Sequence, residues 1–462
     1  MLNVILGLIG LSIIVVIHEF GHFLAARAHG VEVEAFSLGW GPTLLSAKRG
    51  RTEWKLSAFP LGGYCKMKGE DAFKTALEQN LPTLPKEEGS FYSASPTRRI
   101  GILAAGPIMN FVFAIVLSTI VALVGTQVQT ISNKIILASE YGGTIGGNTE
   151  QNVQNPADIA GLRTGDIITK IDDVEIKDYS DLQRIIAMNG GKTLHMTVLR
   201  DGTPVEVTIT PRLDKATGQG LIGIYGWVDP VVETVEKGSA AAIAGLESGD
   251  VILEVDGKPV NHSIDLAKYL ENQPERITLT IQRGTERIEK TLVLTYTDRD
   301  PKTAESNLGI VFKIITKTTK ASSLADAILM GANTTWETFV VSIKSIGLLF
   351  SGIDVFSAVS GPARITYMVG ASASESFKQS GIAGILPVLS FLALISVSLG
   401  FMNLLPIPAL DGGQIVLCLV EIVNRKPLKV RTLYRYQSAG SIIVLALIIV
   451  ATMSDVLFFF RR

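Results

Sequence analysis

The sequence predicts a multi-pass α-helical membrane protein with about four transmembrane helices, a membrane-associated β-hairpin region and two extracytoplasmic α+β domains. Three observations lead to this fold class. Hydrophobic residues make up 47% of the 462 residues and charged residues only 18%, a composition typical of a membrane protein with soluble parts. Four apolar stretches are each long enough to cross a bilayer, and a repeat lies between the second and the third. The formal net charge of -1 argues against nucleic-acid binding.

The predicted transmembrane helices are stretches of about 20 or more mostly apolar residues, the length that a bilayer core requires. They cover residues 2–26, 100–125, 382–405 and 441–460. Residues 325–350 form a fifth apolar stretch, but Asp326, Glu337 and Lys344 interrupt it. These charges favour an amphipathic helix at the membrane interface over a fifth span.

Basic residues predict the orientation of the chain. Arg and Lys are frequent between the first and second spans and between the third and fourth spans, and basic loops tend to stay in the cytoplasm. Both chain ends and the segment from about 126 to 381 are therefore expected outside. Cys65 and Cys418 fall on or near the cytoplasmic side, so no disulfide is expected.

The first predicted span contains His18-Glu19-Phe20-Gly21-His22, the HExxH pattern. Helical residues four apart lie on one face, so both imidazoles can reach a single metal ion. Glu19 projects beside them, where it can polarise an attacking water. Ionisable groups at membrane depth are costly to bury without partners. This favours a functional site over two histidines that merely satisfy helix contacts.

A catalytic zinc usually has three protein ligands and one open position, so the motif lacks one ligand. The candidate is Asp411, which follows Pro406 and Pro408 at the end of the third span. The prolines break the helix, and we expect a non-helical turn at membrane depth to present Asp411. The alternative is that the helix exits into a loop and that Asp411 is a solvated cap.

The segment between the second and third spans contains an internal repeat. Residues 160–172 (AGLRTGDIITKID) match residues 244–256 (AGLESGDVILEVD). In each copy a strand, a helix and two further strands are predicted to follow. The pattern A-G-L-x-x-G-D-x-I resembles PDZ domains in the permuted arrangement of bacterial envelope proteases. PDZ domains take up an extended peptide as an added strand, so these units are expected either to bind a peptide or substrate tail or to form only a steric cover.

The whole chain resembles the site-2 protease family of intramembrane zinc metalloproteases. The resemblance rests on HExxH, FPLGGY at 59–64, AGPIMNF at 105–111, the PDZ pair, SGP at 360–362 and LDG at 410–412. It implies Zn²⁺ as the cofactor, with His18, His22 and Asp411 as metal ligands. It also implies that Glu19 is the catalytic general base.

Six further residues are predicted to bind the substrate: Asn403, Ser398, Gly62, Gly63, Pro406 and Pro408. Asn403 matches a family asparagine that holds the substrate backbone. Ser398 stands where relatives often have asparagine, and its hydroxyl has a shorter reach than an amide. Gly62 and Gly63 punctuate short apolar strands within 31–67, where a hairpin would offer a free edge to an unwound substrate helix.

These elements predict the domain boundaries. The membrane part comprises transmembrane helix 1 with HExxH (1–27), a cytoplasmic or re-entrant β loop (28–98), transmembrane helix 2 (99–126), an amphipathic interfacial helix and linker (316–380), transmembrane helix 3 (381–406), the LDG turn and cytoplasmic loop (407–435) and transmembrane helix 4 (436–460). The PDZ domains are predicted at 127–225 and 226–315.

These features predict a zinc metalloendopeptidase that cleaves transmembrane segments of single-pass membrane proteins within the lipid bilayer. The family implies regulated intramembrane proteolysis in a bacterial inner membrane, with the active site near the cytoplasmic side and the PDZ pair screening substrates. It also implies substrates such as a pre-trimmed anti-sigma factor, or remnant signal peptides. One alternative is an intramembrane metal or proton transporter, which predicts inverted repeats among the spans. Another is a catalytically inactive PDZ receptor, which would be expected to lack Glu19.

Overall fold

The computed structural model of the protein describes residues 2–141, 154–214, 217–297, 306–349 and 360–460. The chain divides into two compact units. The first unit combines Met1–Thr126 with Thr319–Arg462, and the second unit is the inserted segment Gln127–Thr318.

The chain begins with α1 (Leu2–Ala28), β1 (Val33–Arg49), β2 (Thr52–Met67), α2 (Glu70–Glu78), α3 (Pro96–Val124), β3 (Thr126–Thr130), β4 (Ile135–Leu137), α4 (Pro156–Ile159), β5 (Ile167–Ile171), β6 (Val174–Glu175), α5 (Tyr179–Met188), β7 (Leu194–Arg200) and β8 (Thr203–Ile209). These elements are followed by β9 (Arg212–Leu213), β10 (Gly220–Leu221), β11 (Ile224–Gly226), β12 (Val232–Val235), α6 (Ala240–Ile243), β13 (Val251–Val255), β14 (Lys258–Pro259), α7 (Ser263–Leu270), β15 (Arg276–Arg283), β16 (Glu286–Val293), β17 (Ile310–Phe312) and β18 (Ile315–Thr319). The chain continues with α8 (Leu324–Leu349), α9 (Pro362–Ser380), α10 (Ile385–Leu404), α11 (Asp411–Asn424) and α12 (Val430–Phe460).

Four helices in the described part of the chain are long and apolar enough to cross a membrane, which confirms the predicted number. The four segments are Ile5–Ala28, Pro96–Val124, Gly381–Leu404 and Val430–Phe460. The sequence at the start of α3 explains where that helix begins. Ser95 Oγ accepts a hydrogen bond from the Arg98 amide, and Pro96 occupies the first turn, as is common at helix N-termini.

Helix α8 is not one of these four segments, and Asp326 lies in its first turn. Its position at the membrane interface stays a prediction. The fifth apolar stretch is predicted to end at Phe350, which lies outside the described residues. Residues 351–359 of the predicted linker also lie outside them.

A capping interaction joins α12 to the start of α9. The buried Asp455 near the end of α12 accepts hydrogen bonds from the Gly361 amide at 2.8 Å and the Ala363 amide at 3.0 Å. These amides have no partners within their own helix because they lie at its N-terminus. A side chain at Gly361 would collide with the Asp455 carboxylate. Asp455, an acidic residue within the fourth apolar stretch, therefore caps the N-terminus of α9.

Strands β1 and β2 form a hairpin whose second strand folds back over the first. Phe36 of β1 lies opposite both Trp54 and Cys65 of β2, so residues 33–38 of β1 lie between two segments of β2. Residues 43–49 of β1 form a fourth strand segment beside residues 52–57. Residues 62–67 of β2, here called the edge segment, form one of the two edges of this sheet. The core beneath the hairpin contains Phe23 of α1 and Ile102 of α3, which positions this edge beside the helix that bears HExxH.

The described part of the inserted unit contains two four-stranded sheets with matching strand orders, β6-β5-β7-β8 and β14-β13-β15-β16. Each sheet packs on its own hydrophobic core. The aspartate of each repeated motif makes the same contact in both sheets. Asp166 accepts hydrogen bonds from two guanidinium nitrogens of Arg200 at 2.9 and 2.7 Å. Asp250 does the same with Arg283 at 2.7 and 2.8 Å. The repeat therefore preserves a buried two-point ion pair that ties the motif to a core strand.

Candidate active site

The structure brings together three of the residues predicted from the sequence. Asp411 Oδ2 lies 3.1 Å from His18 Nε2 and 3.4 Å from His22 Nε2. The two Nε2 atoms are 3.2 Å apart, and the three possible ligand atoms lie within 4.8 Å of one another. Two imidazoles and one carboxylate that converge in this way suit a divalent metal ion such as zinc, which in catalytic sites has three protein ligands.

Helix α3 orients both imidazole rings. His22 Nδ1 donates a hydrogen bond to the Ile102 carbonyl at 2.8 Å, and His18 Nδ1 lies 3.2 Å from the side-chain amide of Asn110. Each ring therefore presents Nε2 to the site. Gly106 of α3 makes room for them, because a Cβ there would collide with His22 Nε2 and stand 2.9 Å from His18 Cε1. Sequence reasoning missed Gly106 and Asn110, although both belong to the segment AGPIMNF.

Asp411 is presented differently from the prediction. We expected a non-helical turn, but Asp411 is the first residue of helix α11. The break predicted from the prolines does occur, because α10 ends at Leu404 and residues 405–410 are not helical. Acidic side chains are favoured in the first turn of a helix, where they face free amides and the positive end of the dipole. The turn brings this helix start to the two histidines.

Glu19 lies next to both histidines on α1. Its Oε2 atom accepts a hydrogen bond from the Cys65 amide at 3.1 Å. Cys65 belongs to the edge segment of the hairpin, so this bond links the carboxylate to the edge. The carboxylate is thus held beside the edge segment.

The predicted substrate-binding residues lie in two places. Asn403 is in the last turn of α10, before Pro406 and Pro408, and Ser398 lies further back on the same helix, where its hydroxyl donates to the Leu394 carbonyl at 2.9 Å. Gly62 has a φ of 111°, a conformation that favours glycine.

A side chain of β1 holds the backbone of Gly63, which lies in β2. Its carbonyl accepts a hydrogen bond from Trp40 Nε1 at 3.1 Å. No observation tests the substrate-binding role of any of the six residues, so that role stays a prediction.

Comparisons with known proteins identify the family of this chain. The model of peptidase family M50 matches residues 6–447. A putative zinc metalloprotease of Treponema pallidum is 39% identical over 462 residues and covers 100% of both chains. The regulator of sigma-E protease RseP of Salmonella typhimurium is 30% identical over 472 residues, with 98% of each chain covered. The solved PDZ domain of an SdrC-like protein from Listeria innocua is 24% identical, covers 18% of this chain and 92% of its own, and has a TM-score of 0.16.

The family match extends over nearly the whole chain and includes the helices that carry His18, His22 and Asp411. The chain therefore belongs to peptidase family M50, the site-2 protease family of membrane metalloproteases.

Proposed function

We propose that this protein is a Zn²⁺-dependent endopeptidase that cleaves transmembrane segments of single-pass membrane proteins within the bilayer of a bacterial inner membrane. The observation that carries this proposal is the convergence of His18, His22 and Asp411 beside Glu19. Two of these residues and Glu19 lie on a helix that is long and apolar enough to cross a membrane.

His18, His22 and Asp411 would hold the zinc ion, which polarises the scissile carbonyl and makes water a stronger nucleophile. Glu19 takes a proton from the attacking water and later delivers it to the leaving amine. The hydrogen bond from the Cys65 amide orients this carboxylate. Because the bond comes from the hairpin edge, the base and the peptide bond are aligned by the same strand.

The substrate must unwind before it is cut, since a helix shields its own peptide bonds. We propose that the edge segment Gly62–Met67 pairs with the unwound substrate as an added strand. Asn403, Ser398 and the turn that contains Pro406 and Pro408 would hold the substrate backbone from the opposite side. The Ser398 hydroxyl already donates to Leu394, which leaves its lone pairs to accept a bond from the substrate.

Pairing of the substrate with the edge segment predicts a loss of cleavage without a loss of zinc. Gly62→Pro and Gly63→Pro each remove an amide and restrict φ, so cleavage should fall while bound zinc stays at the wild-type level. Zinc content and cleavage rate are measured on the same preparation. Normal cleavage by both variants would rule out pairing at this edge.

The two α+β domains are proposed to be PDZ domains, at 127–225 and 226–315, on the extracytoplasmic side. In the first, a groove of 580 Å³ lies between α5 and the segment that contains β10 and β11. Leu182, Ile186 and Ile224 contribute apolar lining, and Arg184 lies at the same groove. This supports binding of an extended substrate tail, such as that of an anti-sigma factor already trimmed on its outer side.

Binding can be separated from steric screening by filling the groove. Ala187→Arg on α5 should reduce cleavage of a substrate that carries an outer tail, and should leave a tail-less substrate unaffected. Val174→Arg, on the exposed strand β6 of the same domain and outside the groove lining, is the matched control. If Ala187→Arg and the control cleave the tailed substrate equally, the domains act only as a steric filter.

The decisive test of the whole proposal is cleavage of a model transmembrane peptide by the purified protein in proteoliposomes. Glu19→Gln should retain zinc and lose at least about 100-fold in rate, the low end of general-base contributions. A chelator should abolish cleavage, and added Zn²⁺ should restore it. Equal cleavage by wild type, Glu19→Gln and chelated protein would refute a metalloprotease and leave the transporter and receptor alternatives.

A further inference from the structure

Asn110 of α3 is completely buried next to the metal-ligand cluster. Its side-chain nitrogen lies 3.2 Å from His18 Nδ1. Its side-chain oxygen, also buried, has no hydrogen-bond partner among the described residues. A buried amide oxygen without a partner is unfavourable and calls for an explanation.

The direction of the bond between His18 and Asn110 decides whether His18 can bind a metal ion. If the Asn110 nitrogen donates to Nδ1, a neutral ring carries its proton on Nε2, the atom that faces Asp411 and His22. That proton occupies the lone pair needed for ligation. A metal-binding His18 must carry its proton on Nδ1, and this proton needs an acceptor.

Turning the Asn110 amide supplies that acceptor. The oxygen and nitrogen of an amide have almost the same shape, so a half-turn about the last side-chain bond exchanges them without moving the backbone. The oxygen then accepts the Nδ1 proton of His18 and is no longer without a partner.

The packing around Asn110 leaves its side-chain oxygen as the acceptor for the Nδ1 proton of His18. The Asn110 backbone carbonyl accepts a hydrogen bond from Ser396 Oγ at 2.9 Å. A Cβ at Gly400 would stand 3.1 Å from the Asn110 Cβ, so α10 packs tightly over the residue. Helix α10 thus shields Asn110 from water, which could otherwise accept the proton in its place.

His22 provides an internal comparison. Its Nδ1 faces the Ile102 backbone carbonyl, which can only accept a hydrogen bond, so its tautomer is determined by the main chain. The tautomer of His18 is determined instead by the Asn110 side chain, which a mutation can remove.

We propose that Asn110 is a positioning residue whose side-chain oxygen selects the Nδ1-protonated tautomer of His18 and so presents the Nε2 lone pair to the metal ion. This inference rests on the proposed metal site. Hydrogen bonds of this kind to ligating histidines typically change metal affinity about 10–100-fold when removed.

The test measures Zn²⁺ affinity of the full-length protein in detergent by competition with a chromophoric chelator, without any substrate. Asn110→Leu removes the acceptor and should weaken Zn²⁺ binding about 10–100-fold. Asn110→Asp has oxygen at both positions and can only accept when ionised, so it should restore binding to near the wild-type level. Ser396→Ala removes the bond to the Asn110 backbone but leaves the side chain in place, and is the matched control with wild-type affinity. Thermal unfolding of the metal-free proteins checks that all variants fold.

The outcomes separate this inference from the proposed function. Wild-type protein that binds no Zn²⁺ would refute the metal site itself. Wild-type binding that Asn110→Leu retains in full would refute the role of Asn110 alone. Equal loss in Asn110→Leu and Asn110→Asp would show that the amide acts through packing rather than as an acceptor, and would also overturn the proposal.

Discussion

Substitution of Gly106 by alanine should disable the metal site while leaving the fold intact. Ordinary van der Waals contacts of a Cβ lie at 3.4–4 Å, whereas a Cβ at Gly106 would collide with His22 Nε2 and stand 2.9 Å from His18 Cε1. The ring of His22 must therefore move by about 1 Å, and displacement on that scale can reduce a catalytic rate about 100-fold. This loss corresponds to about 2.7 kcal/mol of transition-state stabilisation.

The assay is cleavage of a model transmembrane peptide, with zinc content measured on the same sample. Gly101→Ala on the same helix is the matched control, because its Cβ would stand 3.1 Å from the Nε2 atom of His29 and not near a metal ligand. We expect Gly106→Ala to hold less zinc than wild type and to cleave about 100-fold more slowly, and Gly101→Ala to match wild type in both. Full zinc content and a wild-type rate in Gly106→Ala would refute the conclusion that α3 packs directly against the two imidazoles.

Two further predictions concern stability. Burial alone would raise the pKa of Asp250, but hydrogen bonds from Arg283 and from the Glu247 amide outweigh it and hold this pKa below its ordinary value of 3.8. Ionised Asp250 therefore stabilises the folded state above the unfolded pKa, and this contribution is lost as the pH falls through the folded pKa. Asp250→Asn should therefore lower the free energy of unfolding by about 1–3 kcal/mol at pH 7. If the difference in stability between this variant and wild type persisted undiminished in strong acid, ionised Asp250 would not be its source. Asp455→Leu removes the cap at Gly361 and should destabilise α9 by about 0.5–2 kcal/mol. Limited proteolysis near residue 361 would detect this change. An unchanged digestion pattern would show that the cap is dispensable.

The repeat illustrates how much of the fold could be predicted from local pattern. The two copies of A-G-L-x-x-G-D-x-I predicted strands and a helix, and the structure has them in the same order twice. The partners of the motif aspartates could not be predicted in this way. Arg200 and Arg283 lie more than 30 residues further along the chain, and no pattern distinguishes them from other basic residues on strands.

The hairpin of β1 and β2 shows a second feature that could not be predicted from the sequence. Its apolar strands and glycines were visible in the sequence, but the folding of β2 back over β1, so that Phe36 faces both Trp54 and Cys65, was not. Register depends on which side chains share a core, and the core of the hairpin includes residues of α1 and α3. This folding determines which segment is the edge next to Glu19.

Sequence alone determined the components of the candidate site: an HExxH motif in an apolar helix, a helix-breaking turn before Asp411, and four helices long enough to cross a membrane. These features are local, because helical periodicity, proline geometry and apolar length act over a few turns of chain. Only the tertiary structure decided that Asp411 begins a helix beside His18, 393 residues away, and that Gly106 and Asn110 face the imidazoles. Such contacts depend on how helices distant in sequence pack together, and packing is a property of the whole folded chain.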